Sequence, residues 1–478
     1  MIVPGRSRPN PSLGAAILAL AVAACTAGPN YHVPEAAAVN LPAARGKFDS
    51  GKDKAFSQAD LPDHWWRLYG DQRLDAFVTE ALAANTDLRA AEANLRRADA
   101  VVRETTAQRT LSTSVGAGLS TIRAAPPTGV NGPLPGTAFY DTSFSLAYPL
   151  DLAGKIRRAI EASQADAESV AAARDNVRVT VAAEVARSYA AACSANLTLA
   201  ANNRVLALQR ETVNVTSRLQ RGGRGTAFDV TRARAAADQS EAAIPSILAN
   251  RTAALYSLAT LMGRAPADYP RDVQTCTTPP TMTKPLPIGD GSALIRRRPD
   301  IRAAERNLAS ATAEIGVATA DLYPQVSLGG SVGFTGPFST ISSVGNAFTL
   351  NAGPLVSWTF PNRRIVRSEI EQAGANADNA LAQFDGTVLE GLRQTETALS
   401  AYAREGDRRA ALLRARNDAA AAAEQAGRLY HFGRTDFLEL LTAQAALTTA
   451  EANLAASNAL VIDRQVDVFK ALGGGWQG

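Results

Sequence analysis

Hydrophobic and polar positions alternate in four stretches of this chain. Leu111, Thr113, Val115, Ala117 and Leu119 alternate with Ser112, Ser114, Gly116 and Gly118, and Val326, Leu328, Val332 and Phe334 alternate with Ser327, Gly329, Ser331 and Gly333. Tyr140, Thr142, Phe144, Leu146, Tyr148 and Leu150 keep the same period, as do Phe348, Leu350, Val356 and Trp358. A period of two puts one set on one face of a strand, which predicts strands over about 111–123, 139–150, 326–335 and 347–359. Each carries an apolar face and a small polar face, and each has about the ten residues that a tilted strand needs to cross a bilayer. Taken alone, such alternation would equally suit a sheet with one face on a soluble core.

After each strand pair the pattern becomes helical. Neither glycine nor proline occurs from Lys155 to Arg221, so a single helix of about 65 residues can run for roughly 100 Å. The following segment, 226–263, has about 38 residues with Pro245 inside it; the helix predicted at 87–109 brings the total to about 61. Two shorter helices end to end thus match one long helix, and the second half repeats the arithmetic with 300–322 plus 435–472 against 364–432. Leu440, Ala443, Leu447, Ala450, Leu454, Ser457 and Val461 fall at alternating steps of three and four, the spacing of a tightly packed helical seam. Such helices would also serve a soluble coiled coil. Four membrane-length strands inserted at matching points argue against that.

The halves are related. Asp87-Leu88-Arg89-Ala90-Ala91-Glu92-Ala93-Asn94-Leu95 recurs as Asp300-Ile301-Arg302-Ala303-Ala304-Glu305-Arg306-Asn307-Leu308. The same shift of about 210 residues lays Arg218-Leu219 on Arg428-Leu429, Gly223-Arg224 on Gly433-Arg434 and Leu261-Met262-Gly263 on Ala471-Leu472-Gly473. The repeats are expected at 71–264 and 291–473, separated by a Pro-rich linker at 265–290 and followed by a short tail at 474–478.

The N-terminus changes the compartment. Arg6 and Arg8 precede an apolar run from Leu13 to Ala23, the layout of a secretory signal over 1–24 and too short to span a bilayer. The run ends in Val22-Ala23-Ala24-Cys25, which is similar to a bacterial lipobox, so Cys25 is expected to be the mature, lipid-bearing N-terminus of an extended segment over 25–70. Thr26 stands where an aspartate would resemble an inner-membrane retention signal, so the expected address is the outer membrane. Of the other cysteines, Cys193 falls in a helical stretch and Cys276 in the linker, and no disulfide is expected between them.

Composition removes other classes. The chain is 46% hydrophobic but 6% aromatic and carries a formal charge of +4 from 49 basic and 45 acidic residues, which favours packed helices and gives no nucleic-acid footprint. No segment has the 18 or more uninterrupted apolar residues of a transmembrane helix, so a membrane crossing has to be a closed barrel. Four strands cannot close one, since the smallest barrels have about eight; the channel has to be an oligomer, with a dimer or a trimer equally open. His32, His64 and His431 join no Ser/His/Asp, zinc or nucleotide motif, so no enzyme, cofactor or metal site is expected, and His64 beside Trp65 and Trp66 reads as packing.

The chain resembles the TolC-like outer-membrane efflux family, in its lipidated OprM and NodT branch, over essentially the whole mature sequence. The motifs that carry the resemblance are Cys25-Thr26-Ala27-Gly28-Pro29-Asn30-Tyr31, Trp65-Trp66 with Asp71 and Leu74, Arg297-Arg298-Pro299-Asp300-Ile301 with Ala303, Ala304 and Glu305, and Ala471-Leu472-Gly473-Gly474-Gly475-Trp476. It implies a mainly α chain whose four strands contribute to a homotrimeric twelve-stranded barrel continuous with a periplasmic helical barrel. It also implies a periplasmic membrane-fusion adaptor and an inner-membrane pump, usually of the proton-driven RND type, with this chain as the passive exit duct. A scaffolding envelope lipoprotein and the exit duct of a type I secretion system are the alternatives.

The resemblance further implies roles for the helix-reversing turns Arg221-Gly222-Gly223-Arg224-Gly225 and His431-Phe432-Gly433-Arg434-Thr435. Gly223, Arg224, Gly433 and Thr435 would meet the adaptor, while the glycines also suit helix reversal. Family members close the tunnel with an acid, a tyrosine and an arginine: Asp229 falls on the acid and Tyr430 on the tyrosine. The family's arginine falls on Thr435, with Arg434 the nearest guanidinium. Glu439 falls on an acidic constriction ring, and Thr442 stands where relatives often carry aspartate.

Overall fold

The computed structural model describes residues 26–123, 136–282, 284–339, 347–360 and 362–474. The signal over 1–24, Cys25, and Gly475 with Trp476 lie outside the described residues. In chain order the elements are α1 (Pro42–Arg45), β1 (Phe56–Ser57), α2 (Gln72–Ala84), α3 (Thr86–Ala107), β2 (Ser112–Ile122), β3 (Thr137–Leu150), α4 (Lys155–Arg221), α5 (Ala227–Ala242), α6 (Ile244–Leu261), β4 (Leu286–Pro287), α7 (Gly291–Arg297), α8 (Pro299–Ala320), β5 (Gln325–Pro337), β6 (Phe348–Ser357), α9 (Arg363–His431) and α10 (Phe437–Ala471).

The chain divides into two compact units. The first comprises the N-terminal residues to Pro34, Leu95–Val170 and Ala304–Phe384. It holds an antiparallel sheet of order β2-β3-β5-β6, in which the β3–β5 pairing joins the two sequence halves. Glycines let the strands approach: a Cβ on Gly333 would lie 2.1 Å from the Thr142 carbonyl oxygen. Pro354 lies in β6, which pairs on one side only among the described residues. The segment after residue 25 is pinned here by Arg158, which is buried. Its guanidinium donates to the carbonyls of Ala27 (3.0 Å) and Gly28 (3.2 Å) and to Asn30 Oδ1 (2.8 Å).

The second unit comprises Glu35–Asn94, Ala171–Ala303 and Asp385–Gly478. Its core gathers Trp65, Trp66, Leu74, Val78, Tyr189, Leu258 and Phe469. Trp65 stacks on Phe469 at 4.5 Å, and His64 packs edge-on to Trp66 at 5.1 Å. Asp71 caps α2 by accepting from the N–H groups of Arg73 and Leu74 and also accepts from the Tyr189 hydroxyl at 2.6 Å. Short parallel strands β1 and β4 tie the linker to the N-terminal segment. The segment is also held by Asp385 and Glu396, whose carboxylates accept from backbone N–H groups of Ala38, Asp49 and Ser50.

Two expectations are corrected here. The segment over 226–263 is two helices, broken at Ala243, with Pro245 in the first turn of α6. Proline has no N–H for the carbonyl four residues back and its ring clashes with it, so the break falls just before the residue that causes it. Cys193 and Cys276 form a disulfide, with Cα atoms 4.9 Å apart. Asn196, one turn along α4, donates to the carbonyls of Gln274 (3.1 Å) and Cys276 (2.7 Å), which lays the linker against the helix at the cysteine.

Candidate membrane face and helical turns

The sheet is amphipathic across all four strands, because the registers keep like with like. One row reads Val115, Phe144, Val332 and Leu350, and the next on the same face Ala117, Thr142, Phe334 and Phe348. The opposite face carries Ser114, Ser145, Ser331 and Asn351, and beside it Gly116, Ser143, Gly333 and Thr349. The described residues do not cover the apolar face: Val115 is 82% exposed and Leu350 69%. Among the described residues β2 pairs only with β3 and β6 only with β5, so both outer strands present unpaired edges. An uncovered apolar face with a polar back and open edges is the opposite of a soluble core.

The two helix-reversing turns share one backbone. The N–H of Arg224 donates to the Leu219 carbonyl (2.8 Å) and that of Gly223 to Gln220 (3.0 Å); Arg434 donates to Leu429 (2.9 Å) and Gly433 to Tyr430 (3.0 Å). This paired pattern satisfies the last helical carbonyls and needs a left-handed residue, which Gly223 (φ 71°) and Gly433 (φ 68°) supply. A Cβ at either would meet open space, so the dihedral alone calls for glycine.

The helices that follow start on different caps. Thr226 Oγ1 accepts from the Asp229 N–H (3.1 Å), while Asp229 Oδ2 accepts from the Thr226 N–H (3.2 Å) and hydroxyl (2.7 Å). In the second turn Asp436 Oδ1 accepts from the Glu439 N–H (2.8 Å), and the Thr435 hydroxyl donates to the Glu439 carboxylate. Asp229 and Glu439 are therefore equivalent residues, each third in its helix and each placed where the helix dipole favours an anion. The spacings Thr226-x-x-Asp229 and Asp436-x-x-Glu439 are the sequence signal for this capping.

Tyr430 is half-buried, its ring 5.9 Å from that of Phe437. Burial, and secondly the charge of Asp229, push its phenol above the ordinary tyrosine value. The fold thus brings Asp229 into electrostatic reach of Tyr430, with no hydrogen bond between them within the chain. The guanidinium of Arg434 forms no ion pair among the described residues, and Arg224 and Arg434 are both exposed. Thr442 donates to the Leu438 carbonyl at 2.8 Å.

Sequence reasoning missed Arg298. This buried guanidinium holds Asp300 (2.6 and 2.9 Å), the carbonyl of Ala471 (2.8 Å) and Gln394 (3.0 Å), fixing the end of α10. Its signal is the Arg297-Arg298-Pro299-Asp300 run that leads into α8. Among the described residues no cluster of His, Cys, Asp or Glu could hold a metal, and no helix is long and apolar enough to cross a membrane.

The sequence profile of the outer membrane efflux protein family matches residues 77–264 and 291–474. Nodulation protein T of Rhizobium leguminosarum bv. trifolii is 29% identical over 442 residues, covering 91% of each chain. The toluene efflux pump outer membrane protein TtgC of Pseudomonas putida is 27% identical over 470 residues, covering 97% of this chain and 95% of that one. The solved structure of the outer-membrane channel OprN superposes with a TM-score of 0.86 at 35% identity, covering 95% of this chain and 100% of that one.

Proposed function

This chain belongs to the outer membrane efflux protein family, and we propose that it is the outer-membrane subunit of a tripartite efflux system, a passive exit duct for small molecules. The observation that carries the reading is the four-stranded sheet with its uncovered apolar face, polar back and two open edges. In lipid each unpaired backbone group costs several kcal/mol, so β6 of one copy pairs with β2 of the next until the sheet closes. Three copies close it at twelve strands, the homotrimer that the family resemblance implies, with apolar rows toward lipid and serine and glycine rows toward water.

Each copy then presents its two turns to the periplasm. A membrane-fusion adaptor docks at Gly223 and Arg224 and at Gly433 and Thr435, and an inner-membrane pump of the RND type supplies the energy. Asp229, Tyr430 and Arg434 form the closing contacts between copies, and three Glu439 carboxylates form a ring inside them. The relative named as part of a toluene efflux pump favours small-molecule cargo over protein secretion. Cys25, carrying diacylglycerol and an N-acyl chain, anchors the segment that Arg158 holds.

The test is purified protein in planar lipid bilayers, with mass spectrometry of the intact complex. Stepwise ion currents from a species of three copies are expected; a silent monomer would overturn the reading. Cys25→Ser should abolish palmitate labelling and leave the trimer intact, and a label that survives would place the lipid elsewhere.

A further inference from the structure

Charge is almost absent from the sheet and its connections. From Thr110 to Leu150 the sequence holds two charged residues, Arg123 and Asp141, and from Leu322 to Asn362 it holds none. Asp141 is the only charge within β2, β3, β5 and β6. Its neighbours across the sheet are Gly118 and Thr335, so the register assigns it to the polar face, in line with Ser143 and Ser145 along β3. Gly118 makes room for it: a Cβ there would sit 2.3 Å from Asp141 Oδ1. Arg123 lies just past β2 and falls, in the alternation of that strand, with Leu119 on the apolar face.

We propose that Asp141 determines the ion preference of the duct at the end of the sheet remote from the helices. Asp141 is the fifth residue of β3, counted from the connection to β2, while α3 and α4 join the strands at the other end. The proposal rests on the trimeric channel reading, under which three Asp141 carboxylates face one aqueous lumen. The rows on either side of it on that wall hold Gly116, Ser143, Gly333 and Thr349 toward the helices and Ser120, Phe139 and Pro337 toward the connection, all uncharged, and the one base nearby falls with the opposite face. With no countercharge on the lumen side, the three carboxylates set the local potential, enriching cations and depleting anions. The field is partly screened at ordinary salt, where the Debye length is about 8–10 Å, and strengthens as salt falls.

Reversal potentials across a potassium chloride gradient test this on the reconstituted trimer. Asp141→Asn should lower the cation-over-anion permeability ratio about twofold, more at low salt. Asp141→Glu should keep the wild-type ratio, and Asp141→Lys should turn the preference toward anions. A trivalent cation such as hexamminecobalt should block wild-type current from the sheet side and lose that block in Asp141→Asn. Full conductance with an unchanged ratio in both Asp141→Asn and Asp141→Lys would overturn the proposal. Absence of conductance in the wild type would instead overturn the channel reading.

Discussion

At Arg221–Thr226 and at His431–Asp436 the chain reverses with the same backbone and different side chains. Gly223 and Gly433 take the same left-handed dihedral, and Arg224 and Arg434 return the same hydrogen bond to the helix just completed. Beyond that backbone the turns diverge. The shift that superposes the repeats lays Tyr430 on Gln220, Thr435 on Gly225 and Asp436 on Thr226. The duplication thus preserved what reverses a helix and released the side chains around it. The aromatic hydroxyl exists in one turn, and the acids Asp229 and Glu439 sit at the same place in both. The closing contact proposed for Asp229 and Tyr430 would for that reason join unlike turns, which an exact repeat could not have supplied.

The largest expected difference between the halves lies above the turns. Cys193 corresponds to Ala403 in the second repeat, so only the first is riveted to the linker. The bridge spans a sequence separation of 83 residues, for which the chain-entropy relation gives about 4–5 kcal/mol. Replacing both cysteines with alanine should lower the denaturation midpoint and open the 265–290 linker to protease; unchanged cleavage would show that β1, β4 and Asn196 hold it alone.

Next come the turn glycines. Valine at position 223 or 433 forces a branched side chain into the left-handed region, at about 1–2 kcal/mol each. Equal losses in equilibrium unfolding would confirm a shared backbone role, and a markedly larger loss at one would break the equivalence. The caps should then separate the turns. Thr226→Ala and Asp436→Ala should each cost about 1 kcal/mol, but only the second should shrink as salt screens a charge from the helix dipole.

The smallest effect on stability, and the sharpest on function, is expected at Tyr430. Its folded-state proton affinity is raised, by burial and then by Asp229. Its contribution is therefore complete below the unfolded tyrosine value of about 10 and fades as pH rises through the higher folded value. Wild-type channels should stay closed up to pH 10 and open only at higher pH, whereas Tyr430→Phe channels should show a raised open fraction with no alkaline step. A wild-type open fraction that rises well below pH 10 would remove Tyr430 from the gate.

Much of this was legible in the sequence because long elements leave long signals. A run without glycine or proline marked α4 from Lys155 to Arg221, and alternation placed the four strands. Pro245 was visible, but its consequence depends on whether tertiary packing tolerates a kink, and here the helix breaks. The helix Gln72–Ala84, capped by Asp71, lies at the start of the first repeat, where the sequence pattern marks no boundary between it and α3. The disulfide was invisible because pairing depends on where the linker lies, and Asn196 fixes that through backbone carbonyls no motif records. At the turns, sequence located Asp229 and Glu439 but did not reveal that the Asp229 carboxylate closes a capping box while the Glu439 carboxylate takes the Thr435 hydroxyl.

The central claim is that the sheet turns one face to lipid and the other to water, and adjacent positions on neighbouring faces test it most directly. Cys193 is bridged to Cys276, and Cys25→Ser removes the one other thiol of the sequence, so single cysteines can be introduced without background. Ser114→Cys and Ser331→Cys should react with a charged methanethiosulfonate reagent and reduce the current, while Val115→Cys and Val332→Cys should remain unreactive in the bilayer. Equal reactivity at 114 and 115, or modification at 331 without effect on current, would contradict the account.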